Sequence, residues 1–336
     1  MNDIIELACG NGGLEMHRLI NEIIKPPINN PSLSFPTDSA YVQARDQYLL
    51  FTTDSHIIDP IIFPGGDIGK LAVCGTANDI LVAGGRPLYM SLGLLIEEGL
   101  KTDTLRLVME SVKREAEHIG LSIVTGDTKV LEKGKGDKLF INTSCIGLPV
   151  FDPVCHFRNI MPGDVIIITG GIAEHGIAVM MQREGISLDS PVRSDVRSLH
   201  EVVYGLAEKA ITPKFMTDPT RGGLSSALNE IASASGLGVV LDETCVPVNP
   251  SVLSVCEILG LNPYEIACEG NAVIITDKVD AGKALETIRN CGDAGKNAAI
   301  IGEIKEKPAG RVILHTRVGT DVLLSMPEGL NLPRIC

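Results

Sequence analysis

From Pro149 to Pro162 the chain carries three prolines and neither a helical nor a strand period. Each proline fixes φ and removes a backbone donor, so regular structure does not run through such a stretch. The segment reads as a joint between two folding units, and 336 residues exceed what one ordinary core holds. We expect one domain over 1–155, a second over 156–325 and a tail over 326–336. On both sides of the joint, short β-rich runs alternate with helical patterns, and glycines mark most of the breaks.

Tyr48 to Thr53 reads as a strand, Lys70 to Ala83 as a buried helix, and Leu121 to Thr125 and Leu139 to Gly147 as further strands. Leu105, Val108, Val112, Ala116 and Ile119 recur at helical spacing, with Gly120 as the stop. The second half predicts helices near Gly176–Arg183, Leu199–Lys209, Gly223–Ala234 and Val279–Arg289. Its strands fall near Val239–Leu241, Val273–Thr276 and Ile300–Ile304. Without regular β-α-β alternation, this favours two α+β domains over one doubly wound sheet.

A net charge of −13 and the lack of a basic stripe argue against nucleic acid as a partner. No stretch approaches the roughly 20 apolar residues that span a bilayer, so no membrane association and a cytoplasmic location are expected. The nine cysteines form no Cys-x-x-Cys pair, and most sit in apolar runs where a thiol behaves as a small hydrophobe. Packing does not explain Cys336 or, more weakly, Cys9. The run Met326 to Cys336 holds two prolines and a glycine and no period, so it is easily extended and can carry a thiol to a distant site.

Asp54, Asp67, Asp79 and Asp127 fall at the ends of apolar elements, with Asn78 and Thr128 beside them. Several carboxylates converging with substrate phosphates would suit magnesium. Asp next to Gly is also ordinary turn and cap chemistry. Gly10-Asn11-Gly12-Gly13 precedes a helix-like run, and Pro64-Gly65-Gly66-Asp67-Ile68-Gly69-Lys70 forms a second glycine-rich turn. Such turns let backbone amides approach an anion. Neither is a Walker P-loop or a dinucleotide fingerprint. Thr217-Asp218-Pro219-Thr220-Arg221-Gly222 offers acid, hydroxyl and guanidinium together, and Glu269-Gly270-Asn271 is a polar break before a buried-looking strand.

Taken together these pieces resemble the AIR synthetase (PurM)-type ATP-binding superfamily, and within it the hydrogenase-maturation carbamoyl dehydratases. The match runs from end to end: Gly10-Asn-Gly-Gly13, Thr53-Asp-Ser55, Pro64 to Ala72, Gly75-Thr-Ala-Asn-Asp79, Thr125-Gly-Asp-Thr-Lys-Val130, Asp218 to Leu224, Glu269-Gly270 and Pro333-Arg-Ile-Cys336. Cys9 stands where the family commonly has histidine, and Asn271 where a lysine often follows Glu-Gly.

The resemblance implies a two-domain PurM-like α+β fold and a homodimer built through the N-terminal sheets. It also implies Mg2+ and ATP in the cleft between domains. Gly12, Gly13, Asp54, Asp67, Lys70, Asn78, Asp79, Asp127, Thr128, Asp218 and Arg221 are the expected nucleotide contacts, with Asp54, Asp79 and Asp127 holding the metal. The implied reaction carbamoylates Cys336 through the carbamoyltransferase HypF, dehydrates the adduct to a thiocyanate with ATP, and passes cyanide to iron on a HypC–HypD scaffold.

Elementary chemistry fits this scheme. Hydroxide is a poor leaving group from an S-carboxamide, whereas an oxygen phosphorylated by ATP leaves as phosphate. The site then needs charge neutralisation and a base near nitrogen. Glu269 is the expected proton acceptor, Lys129 the orienting cation and Cys336 the covalent carrier. The roles of Lys129 and Glu269 could be exchanged if burial lowers the lysine pKa. Two other readings stand beside this one: a selenophosphate synthetase-like phosphotransferase using Cys9, and a non-catalytic dimeric assembly subunit.

Overall fold

A computed structural model describes residues 4–34, 37–187 and 192–328. After the glycine loop, α1 (Leu14–Arg18), a π-helical stretch (Leu19–Ile24) and α2 (Lys25–Ile28) follow one another along the chain. The first half then builds β1 (Ala40–Ala44), β2 (Gln47–His56), a small hairpin of β3 (Ile62–Phe63) and β4 (Gly66–Asp67), and α3 (Ile68–Val82). It continues with β5 (Gly85–Glu97), α4 (Thr102–Ile119), β6 (Ser122–Leu131) and β7 (Leu139–Pro149).

Five of these strands form a sheet in the order β1-β2-β7-β5-β6, antiparallel except for β5 and β6. Helix α3 is apolar all round because it is buried all round: Ile68, Leu71, Val73, Ile80 and Leu81 have no exposed surface. It packs with α4 on one face of the sheet. The amphipathic α4 ends where Gly120 takes the left-handed conformation.

The opposite face of this sheet is open. Phe51 pairs with Ile146, and Ile146 with Tyr89, so the three form a row across β2, β7 and β5. They remain 43, 37 and 51% exposed. The edge strand β6 is exposed at nearly every residue, Val124 and Val130 included.

The second half contributes β8 (Val165–Ile168), α5 (Glu174–Glu184), α6 (His200–Glu208), β9 (Phe215–Thr217), α7 (Gly223–Ser235), β10 (Gly238–Asp242) and α8 (Pro250–Leu259). After these come β11 (Val273–Thr276), α9 (Ala281–Arg289), β12 (Ala299–Lys305), β13 (Val312–His315) and β14 (Asp321–Leu323). Its sheet runs β14-β13-β10-β12-β8-β11-β9. The central strands β8 and β11 are buried at every position. Ile166, Ile168, Val273 and Ile275 face one core, and Val165, Ile167 and Ile274 the other. The period-two alternation of a strand explains why these runs need branched apolar residues on both sides.

Leu81 and Val82 of α3 pack into a core built mainly from the second half, so this buried helix anchors one unit to the other. The expected α+β organisation is observed. At three candidate residues the elements differ from the sequence reading. The strand expected to stop at Thr125 runs on through Gly126-Asp127-Thr128 to Leu131, because pairing with β5 continues to Glu97. Asp54 likewise lies within β2, and Asp79 within α3, rather than in loops at their ends. Among the described residues, no helix is long and apolar enough to cross a membrane.

Candidate active site

Three aspartates from distant parts of the chain meet between the two halves. Asp79 comes from α3, Asp218 follows β9, and Asp38 precedes β1. Each offers a carboxylate oxygen, and these oxygens lie within 4.8 Å of one another. The Thr52 hydroxyl sits 2.7 Å from Asp79 Oδ2 and 3.1 Å from the Asp38 carbonyl. Burial raises the Asp38 pKa to about 7, although a hydrogen bond from Thr217 opposes it. Burial also pushes Asp79 and Asp218 well above the usual carboxylate range, and their negative neighbours add to the shift. Mutually repelling, oxygen-only ligands of this kind fit a hard divalent cation such as magnesium, which would relieve the repulsion.

Beside the trio a polar cavity of about 240 Å³ is lined by Asp54, His56, Gly75, Arg221 and Glu269 as well as the three aspartates. A Cβ built on Gly75 would lie 3.1 Å from His56 Cε1, 3.7 Å from Asp54 Oδ2 and 3.8 Å from Glu269 Oε2. Three functional side chains therefore converge over a position that has none. Thr52, Asp54 and His56 alternate along β2 and so point to one side of the sheet. His56 Nε2 lies 3.4 Å from Asp54 Oδ2. Burial nevertheless lowers the His56 pKa, which favours the neutral ring.

Glu269 is 4% exposed, and its Oε1 has no hydrogen-bond partner among the described residues. Desolvation first, then Asp218, Asp54 and Asp195, drive its pKa well above the ordinary value, with Arg221 opposing. Its backbone is fixed from behind. Buried Asp195 accepts the N–H groups of Glu269 and Gly270 and the side-chain amide of Asn271. Asn271 thus serves a buried structural network.

The glycine loop closes the rim. A Cβ on Gly12 would come within 2.8 Å of the Arg221 backbone, and one on Gly13 within 2.3 Å of the Pro327 carbonyl oxygen. Only glycine permits both approaches at the positive φ of 79° and 89° found there. Leu14 donates its N–H to Pro327 O at 3.2 Å. Ser225 and Asn229 of α7 donate to the carbonyls of Ser325 and Leu324. The chain beyond β14 is therefore fastened by α7 and then by the start of α1 as far as Pro327, which includes the first two residues of the segment read as a tail from Met326. Cys336 lies outside the described residues.

The structure brings Asp54, Asp79, Asp218, Arg221 and Glu269 into one cavity and places Gly12 and Gly13 at its edge. It does not bring the other expected ligands there. Asp67 caps α3, with Oδ1 accepting from Gly69 and Lys70 N–H while Oδ2 accepts from Ser111. Asn78 clamps the halves together, donating to Arg197 O and accepting from Leu199 N–H. Lys70 lines a separate cavity with Arg193 and Lys296.

Asp127, Thr128 and Lys129 lie exposed on edge strand β6, where Lys129 Nζ pairs with Asp127 at 2.6 Å. By register Ser55 faces Asn142, Asn142 faces Gly93 and Gly93 faces Asp127. Three strand spacings of about 4.8 Å thus separate Asp127 from Ser55 by roughly 14 Å. Within one chain Asp127 therefore does not share an ion with Asp54. Cys9 is partly exposed and does not line the cavity. Asp38 and His56 were missed. The Thr52, Asp54, His56 alternation was a usable signal for the histidine, and Asp38 had none beyond turn chemistry.

Residues 36–148 match the family model described as AIR synthase related protein, N-terminal domain, and residues 161–315 match its C-terminal domain. A carbamoyl dehydratase HypE of Escherichia coli (strain K12) is 40% identical over 341 residues, covering 100% of both chains. A crystal structure of the hydrogenase maturation protein HypE in complex with ATP aligns at TM-score 0.83 and 42% identity, over 99% of this chain and 100% of that one. One of a HypE-HypF complex aligns at TM-score 0.85 and 39% identity, over 92% of this chain and 99% of that chain. The aspartate trio, the glycine loop and Glu269 thus sit in an AIR synthase related fold, and the chain belongs to the carbamoyl dehydratase HypE family.

Proposed function

We propose that this protein uses ATP to dehydrate a carbamoyl group carried on Cys336. One observation carries the reading above the rest: Pro327 is held against the glycine loop, whose Gly12 backs onto Arg221 of the cavity. Cys336 lies nine positions beyond Pro327, a contour of at most about 30 Å. A sulfur on that length of chain lies within reach of the cavity rim.

The carbamoyl oxygen attacks the γ-phosphorus of ATP, ADP leaves, and one N–H proton is lost, giving an S-bound imidoyl phosphate. The C–O bond then breaks, phosphate departs, and the remaining N–H proton leaves as the C≡N bond closes. The product is a thiocyanate on Cys336. Release of cyanide from it consumes two electrons, which the accepting HypC–HypD iron scaffold would supply.

Asp38, Asp79 and Asp218 would hold magnesium, which supplies charge neutralisation for the phosphates when bound. Arg221 sits where it can meet the transferring phosphoryl group. Glu269, deprotonated once cationic groups offset its neighbours, receives the nitrogen proton. The high proton affinity that burial gives it suits that task. His56 is held neutral beside Asp54 and completes the polar wall.

A homodimer joined through the open sheet face would cover Phe51, Tyr89 and Ile146 and bury an apolar surface of a kind monomers rarely expose. Asp127 and Lys129, idle within one chain, would then face the partner. The relative solved with HypF supports a carbamoyltransferase as the donor. The test is peptide mass after incubation with that transferase, carbamoyl phosphate and Mg-ATP. A carbamoyl adduct on Cys336 followed by a species lighter by one water is expected, and an unmodified Cys336 would refute the reading.

A further inference from the structure

Away from the cavity, a second cluster of metal-ligating side chains draws on both halves. His118 ends α4 of the first half, while His200 and Glu201 open α6 of the second. One ligand atom from each lies within 4.8 Å of the other two. The imidazoles stand edge to face, with centroids 4.8 Å apart and planes at 89°.

The His200 ring is already oriented. Ser198 Oγ accepts the His200 backbone N–H at 3.3 Å and lies 3.1 Å from Nδ1. Donation from Nδ1–H to that oxygen leaves Nε2 with its lone pair, the arrangement that outer hydrogen bonds impose on metal-binding histidines. His200 and Glu201 also line an open cavity of about 760 Å³, which leaves room for water or another exogenous ligand.

We propose that His118, His200 and Glu201 form a site for a borderline divalent cation of the zinc class, clasping α4 to α6. Two imidazoles and one carboxylate are a donor set such ions favour over magnesium, which prefers oxygen. Bonds of about 2.0–2.2 Å require only that the three side chains close inward from their present spacing. The site is chemically distinct from the oxygen-only aspartate trio.

The test titrates the metal-free full chain with zinc in millimolar magnesium and a thiol-free reductant, and repeats the titration with cobalt as a spectroscopic probe. Stoichiometric zinc binding is expected, weakened at least 10-fold by His118→Ala or His200→Ala and about 10-fold by Ser198→Ala. Cobalt should give ligand-field bands without thiolate charge transfer, and zinc should raise the melting temperature of the parent by a few degrees but not that of His118→Ala. His118 is exposed, so its variant keeps the test valid if His200→Ala fails to fold. Zinc uptake absent under these conditions, unchanged in both histidine variants, or accompanied by thiolate bands would overturn the proposal.

Discussion

Leu14 donates its backbone N–H to the carbonyl of Pro327, tying the first helix to the segment that leads into Pro333-Arg334-Ile335-Cys336. The contact exists because Gly13 has no side chain. A Cβ there would stand 2.3 Å from the Pro327 oxygen, at a φ that other residues rarely adopt. Gly13→Val should therefore displace the segment from the rim. Carbamoylation of Cys336 by the transferase should persist, while dehydration should slow by about 100-fold, the scale of a 1 Å misplacement. Peptide mass followed over time separates the two steps; equal rates in variant and parent would show that the contact is irrelevant.

The aspartate trio carries a pH signature. Carboxylates whose folded pKa is raised bind more protons in the folded than in the unfolded state, so stability falls as pH rises between the two values. For Asp38 that window runs from 3.8 to about 7, and the raised pKa values of Asp79 and Asp218 add to the decline. In chelator, Asp218→Asn should flatten this decline and stabilise the protein at pH 8 by about 1 kcal/mol, the scale of a one-unit shift. The same substitution should abolish the stabilising effect of magnesium and most ATP turnover. Thermal melts across pH, with and without metal, provide the check, and parallel curves for variant and parent would contradict it.

Glu269→Gln keeps the shape of a buried residue and removes its basicity. The variant should accept the carbamoyl group normally and accumulate it, with dehydration reduced 100- to 10,000-fold, the range general base catalysis supplies. Because Glu269 Oε1 has no partner among the described residues, stability should hold or rise. Normal dehydration by this variant would remove Glu269 from the proton transfer.

The open sheet face makes a separable prediction about assembly. Ile146→Glu places a charge at the centre of the Phe51–Ile146–Tyr89 row and should yield monomers by sedimentation. If Asp127 acts across that interface, Asp127→Ala and Asp218→Asn chains, each inactive alone, should recover turnover when mixed. Each mixed dimer regains one of its two sites only in that case. No recovery, with mixed dimers present, would confine Asp127 to its own chain.

How much was legible follows from which distances the sequence encodes. Helix α4 and the buried strand β11 were readable because their periodicity is local. The apolar character of α3 likewise announced burial. Asp54, Asp79, Asp218 and Glu269 were found by motif, yet their meeting over Gly75 depends on packing between the halves. Asp67 and Asn78 carried the same motif signal but are consumed by a helix cap and a clamp between the halves, which spacing alone does not reveal. Asp127 and Lys129 stand on a strand that outlasts its apolar run, and strand order, a long-range property, sets them three strands from Asp54. Asp38 stayed hidden because its turn resembles any other.

The fate of one oxygen atom tests the central chemistry most directly. Carbamoyl phosphate bearing a heavy-oxygen label in its carbonyl is supplied with the transferase, this protein and Mg-ATP, and the inorganic phosphate released in the dehydration step is weighed. Phosphate should acquire the label in proportion to thiocyanate formed on Cys336. Label appearing in water instead, with thiocyanate still accumulating, would contradict it.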